Sequence, residues 1–211
     1  MEAPPTETNQ EHVNITELLT ESAKFFGLDK IAPGRFSLLL TFQICEMYNS
    51  QNQSIHRIID EIKYLEGIIK KSSTKEPTIF SRNASLKGLW HKHYVQSSMS
   101  SHAQNLRRAL IKYQTPTLKQ REAEYQNDPT IGLSMEDIQK IAHESVFSNW
   151  ERLNDESSVT GEWIIFAKHN KENYYLCLGN HNSGDENIRN LIDNVCVKEF
   201  SFLHDILAPL T

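Results

Sequence analysis

The chain has 211 residues, 38% of them hydrophobic, and 22 Lys and Arg against 27 Asp and Glu give a formal net charge of −5. That length buries a core without disulfide or metal staples. A mean hydropathy of −0.52 speaks against a membrane protein, because the longest apolar runs, Phe36 to Leu40 and Trp163 to Ala167, fall far short of the ~18 residues of a spanning helix.

The first twelve residues are Pro, Glu, Thr and Gln without apolar periodicity and read as a disordered tail over 1–12. They lack the basic and apolar regions of an export signal. Asn14 or Thr16 can cap a helix to about Phe26, with Ile15, Leu18, Leu19 and Ala23 as its stripe and Gly27 as its stop. After the Pro33-Gly34 turn, RFSLLLTFQICEMYN reads as a helix buried over much of its surface. Ile55, Ile58, Ile59, Ile62, Leu65 and Ile69 then form a near-ideal helical stripe. Residues 13–71 therefore form a helical unit.

Ser72 to Pro77 is a linker by composition, and residues 78–97 carry no clear period, so a loop or short strand is expected there. A helix follows to about Tyr113, its stripe Ala103, Leu106, Leu110 and Tyr113, with Arg107, Arg108 and Lys112 on another face. Pro116 and Pro129 bracket a polar connector. Ser134 to Asp137 resembles a capping box and opens a helix to about Arg152 with Ile138, Ala142, Val146 and Trp150 at four-residue steps. GEWIIFAKH and NYYLCLGNH, joined by a turn near Asn170, read as a β-hairpin covered on both sides. A last helix carries Ile188, Leu191, Ile192 and Val195, and FSFLHDIL docks on the sheet as a short strand or helix. The fold class expected is α+β, predominantly helical. An N-terminal helical unit precedes a basic middle segment and a C-terminal antiparallel hairpin or small sheet with a flanking helix. Residues 72–211 make the α+β domain, free to join 13–71 in one domain.

Charge is unevenly spread. Residues 70–121 hold 11 Lys and Arg and one acid, Glu76, whereas residues 122–211 hold 6 Lys and Arg and 16 Asp and Glu. The basic block needs a negative neighbour: a polyanion such as RNA, or carboxylates of this chain or of an acidic partner protein.

The block centres on GLWHKHYV, residues 88–95. In an extended chain His91 and His93 share one face and Lys92 takes the other. Two imidazoles titrating near neutrality and an ammonium are the acid, base and phosphorane-stabilising cation of metal-independent RNA cleavage. His169 and His181, at the ends of the expected hairpin, are further candidates for the second acid or base. Alternatively Lys87, Lys92, Arg107, Arg108 and Lys112 bind phosphates while Trp90 and Tyr94 stack bases. A metal centre is disfavoured by the scarcity of nearby carboxylates and by Lys92, so no metal or cofactor is expected. Against each reading stands the plain one, histidines hydrogen-bonded inside a Trp/Tyr-rich segment. Three widely spaced cysteines, Cys45, Cys177 and Cys196, suggest reduced thiols in the cytoplasm. The functional expectation is a cytoplasmic polyanion-binding protein, RNA its partner, with a toxin-type ribonuclease as the enzymatic form. The alternative is a protein–protein module: an inhibitor, effector or immunity-type binder without catalysis.

Overall fold

Residues 14–81, 85–96, 99–156, 158–159, 161–180 and 183–207 are described by a computed structural model, without the side chains of residues 100 and 101. The tail expected over 1–12, together with Arg82 and His181, lies outside the described residues.

The N-terminal unit holds three longer helices and one short one: α1 (Ile15–Phe25), α2 (Leu28–Ile31), α3 (Leu38–Asn49) and α4 (Ile55–Leu65). Asn14 caps α1 by accepting from Thr16 N–H, and Ser37 caps α3 by accepting from Leu40 N–H. Gly27, at φ 75°, occupies the left-handed bend between α1 and α2, where a side chain would be strained.

The sheet has four antiparallel strands in the order β1 (Thr78–Ile79), β2 (Trp90–Tyr94), β3 (Glu162–His169) and β4 (Glu172–Gly179). The expected hairpin is present. Asn170 and Lys171, at φ 51° and 68°, form a two-residue turn whose twist matches the strands it joins. β2 lies against β3 with His91 opposite Ile165 and His93 opposite Trp163. On β4, Leu176 is an extra residue: Ile165 pairs with Cys177 and Phe166 with Tyr175. This bulge turns Leu176 and Cys177 to one side of the sheet and Tyr175 to the other. Residues 35–37 run beside β4, with Tyr175 N–H donating to Arg35 O and Ser37 N–H to Tyr175 O.

Both sides of the sheet are covered, the condition under which a strand can be apolar on both faces. On one side Leu28, Leu40, Ile44, Ile58 and Ile62 of the N-terminal helices pack on Tyr94, Ile164, Phe166 and Tyr175. On the other, Ile188, Ile192, Cys196, Leu203 and Leu207 pack on Trp163, Ile165, Ala167 and Cys177. These come from α9 (Asp185–Leu191), a π turn (Ile192–Cys196), α10 (Val197–Glu199), α11 (Leu203–Ile206) and the residue after it. Each wholly buried Leu, Ile or Phe contributes about 1.5–3 kcal/mol. The closing FSFLHDIL segment is thus a short helix and not a strand. No helix of the described residues is long and apolar enough to cross a membrane.

The remaining helices form a limb: α5 (Met99–Tyr113), α6 (Pro116–Asn127), α7 (Met135–His143), a π turn (Glu144–Ser148) and α8 (Asn149–Asp155). Three expectations need correction here. The polar connector after Pro116 is a helix, with the proline near its start, where no N–H is needed. The helix opened by Ser134 has its capping box but widens into a π turn before α8. In α5, Asn105 and Ala109 are buried, whereas Leu110 of the expected stripe is exposed. Only Val95, Ala109, Leu153 and Val159, with Tyr113 against them, form the small core at the limb's base.

Candidate functional site

β2 is extended, so His91 and His93 lie on the side of the sheet that faces Trp163, and Lys92 lies on the other. The trio does not share one open face. His91 packs between Phe80, Trp163 and His93, with ring centroids at 4.5, 5.5 and 5.4 Å. His93 is 8% exposed, and its Nδ1 lies 2.9 Å from the carbonyl oxygen of Gly161. A Cβ on Gly161 would sit 2.0 Å from Tyr94 O, so the backbones here approach as only glycine allows.

Lys92 is 0% exposed. Its ammonium donates to Lys75 O (2.7 Å), Ser72 Oγ (3.0 Å) and Thr74 O (3.1 Å), and Glu61 Oε2 lies 3.3 Å away. Burial pulls its pKa below the usual lysine value, and the Glu61 carboxylate opposes that pull. Two backbone carbonyls can only accept, so this nest suits the charged ammonium. Ser72 in turn donates to Glu61, and Thr74 Oγ1 bonds Glu61 and His93 O. The network stitches the expected linker to α4 and to β2.

The other expected contacts separate as well. Tyr94 is 3% exposed, and burial pushes its hydroxyl well above the ordinary tyrosine range. The ring of Trp90 is covered by Lys168 Nζ, 3.8 Å from its centroid. Neither ring is open for stacking a base. Lys112 pairs with Glu156. Arg121 pairs with Glu124 and with Asp137 at 2.9 Å. Arg108 donates to Asn105 (3.3 Å). Lys87 and Arg107 are exposed, on the turn after Ser85 and on α5. His169 stacks on Phe202 at 4.1 Å, four residues along β3 from the partner of His91, about 13 Å at strand spacing. Among the described residues no three His, Cys, Asp or Glu converge as metal ligands.

A different set of basic groups does converge. A cleft of about 340 Å³ opens beside the Lys92 network, between α4 and the chain leaving it. Its lining includes His56, Arg57, Asp60, Glu61, Lys71, Ser72 and Ser73, with Ile69 and Val95 as apolar contacts. α4 supplies His56, Arg57 and Asp60 because its apolar stripe turns Ile58 and Ile62 inward. The two carboxylates are already compensated: Glu61 by Lys92, and Asp60 by Lys63 at 3.2 Å. The side chains of His56, Arg57 and Lys71 make no hydrogen bond or ion pair among the described residues, although guanidinium and ammonium groups are the natural donors to phosphate. The volume falls in the range of small-ligand clefts.

Sequence reasoning missed His56 and Arg57 because they sit in a segment whose net charge is negative, fifteen residues from Lys71. The available signal was the Ile55–Ile62 stripe, which dictates that His56, Arg57 and Asp60 share the outer face of α4. No protein-family model matches the chain, and no curated protein or solved structure matches it either.

Proposed function

We propose that the protein binds a phosphate-bearing polyanion, RNA foremost, at the cleft between α4 and residues 69–73, and binds it without cutting it. The carrying observation is a concave site with three basic side chains lacking internal partners and two carboxylates already neutralised from behind. Lys70 and Lys75, both exposed, extend the positive charge along the same segment. Ile69 and Val95 offer a ribose or base an apolar contact. The ribonuclease form of the idea draws no support from β2, where Lys92 is turned from the two histidines and occupied. A cytoplasmic setting belongs to the same proposal. Cys177 and Cys196 are buried and unlinked, and burial pushes the Cys196 thiol up to about 12. A second reading, the protein–protein module, is favoured by the apolar outer face of the limb.

The test is fluorescence anisotropy with a labelled single-stranded RNA. Wild-type protein is expected to bind, with affinity falling steeply between about 50 mM and about 200 mM salt. Arg57→Ala with Lys71→Ala should weaken binding about tenfold or more and flatten the salt slope by roughly two phosphate contacts. No binding at low salt, or a double variant that binds as wild type does, overturns the proposal.

A further inference from the structure

The limb leaves an apolar surface uncovered. Met135, Ile138, Ala142 and Val146 recur at steps of three, four and four residues, which places them on one face of α7 and its π turn, and all four are exposed. Phe147 beside them is 62% exposed. Leu133, two residues before this stripe, joins Leu118, Tyr125 and Ile131 in lining a pocket of about 180 Å³ between α6 and the α6–α7 loop. That is below the ~300 Å³ at which small-ligand clefts begin, and it suits a single large side chain. Isolated exposed apolar residues need no explanation, but a run with an adjoining pocket marks an interaction surface.

The surface is rigidly presented. Thr117 donates from its N–H and hydroxyl to Glu144 (2.9 and 2.7 Å), Arg121 bridges to Asp137, and Asn149 donates to Gln114 O (3.1 Å). The stretch that forms it, from α6 to α8, is also negatively charged. Residues 114–156 carry nine Asp and Glu and four Lys and Arg. The side chains of Glu122, Glu136, Glu151 and Asp155 make no ion pair or hydrogen bond among the described residues; of the basic groups Arg121 is paired with carboxylates, and Lys119, Lys140 and Arg152, the last bonded only to Asn149, remain to set against them. A second copy would bring this excess against itself. A stripe at helical spacing, about 16 Å long at 1.5 Å per residue, is the length of three turns of a partner helix.

We propose that this face receives a basic amphipathic helix from another protein. Its apolar side would lie along Met135–Val146, one large side chain would enter the pocket under Leu133, and its Lys or Arg flanks would meet the free carboxylates.

Two synthetic peptides of about 18 residues test this, each with leucines at helical spacing, one flanked by Lys and the other by Glu. Both are titrated, fluorescein-labelled, into the full chain. The Lys peptide is expected to bind in about the micromolar range and the Glu peptide at least about tenfold more weakly. Ile138→Asp and Leu133→Asp, each on the exposed face and checked for wild-type circular dichroism, should each weaken the Lys peptide about tenfold, whereas Arg57→Ala should leave it unchanged. Equal binding of both peptides, indifference to Ile138→Asp, or no binding at low salt overturns the proposal. So does a dimer in sedimentation velocity that Ile138→Asp dissolves, which assigns the face to a second copy.

Discussion

Replacing Lys92 by Met keeps most of the side chain's length and removes only its charge and donors. The structure sets the cost. The carbonyls of Thr74 and Lys75 lose their donor, and Glu61, itself 8% exposed, keeps only the hydroxyls of Ser72 and Thr74. Removing one partner of a buried ion pair costs about 3–5 kcal/mol. Glu61→Gln is milder, because Gln still accepts from the hydroxyls and Lys92 keeps three acceptors, so about 1–3 kcal/mol is expected. The two groups touch, so the double variant should fall short of the summed single losses by about 1–3 kcal/mol. Urea unfolding followed by far-ultraviolet circular dichroism gives all three values. A loss under about 1 kcal/mol for Lys92→Met, or strict additivity in the cycle, would refute the claim that this ammonium ties α4, residues 72–75 and β2 together.

Gly161→Ala forces a methyl carbon to 2.0 Å from Tyr94 O, deep inside van der Waals contact, and should destabilise by about 3 kcal/mol or more, with a clear loss of Tm. Asp137 is held near a pKa of about 2 by hydrogen bonds from Ser134 and then Arg121. Its folded value lies below the unfolded one, so the stabilisation is complete above about pH 4 and disappears as pH falls toward 2. Helical signal from the limb should decline across that window, and Asp137→Asn should show less of the decline. Cys177 and Cys196 are buried and their thiols pushed upward, whereas Cys45 is half-buried. A thiol reagent at pH 8 should therefore label no more than one cysteine in the native protein and all three in urea; fast labelling of two in the native state contradicts the burial.

The helical stripes of the N-terminal unit and the hairpin around Asn170-Lys171 were legible in the sequence because each is a local rule: a period, a cap, a two-residue turn. α6 was not, since residues 116–127 have no apolar period and Pro116 reads equally well as a break or as the first residue of a helix. The four-residue steps of Ile138, Ala142 and Val146 announced an amphipathic helix correctly, but periodicity cannot say whether the apolar side meets a core or nothing. The site followed the same division. Alternation along β2 correctly separated Lys92 from His91 and His93. It could not show that Glu61, thirty-one residues earlier, would claim the ammonium. His56, Arg57 and Lys71 come together through the return of the chain after α4, a tertiary event with no signature in their spacing.

The bulge on β4 has a reach beyond the strand that contains it. Leu176 is pushed out of step with its neighbours, and its carbonyl oxygen accepts from Ser37 Oγ, beside β4 at the start of α3, and from Cys196 Sγ at 3.5 Å, in the C-terminal layer. One backbone oxygen thus ties the start of α3 to the C-terminal layer, beside the direct bond from Leu38 N–H to the Glu199 carboxylate at 3.0 Å. A chain lacking that single residue could still zip β3 to β4, with Cys177 and Tyr175 keeping their partners, yet one of the bonds that couple its two coats would be gone.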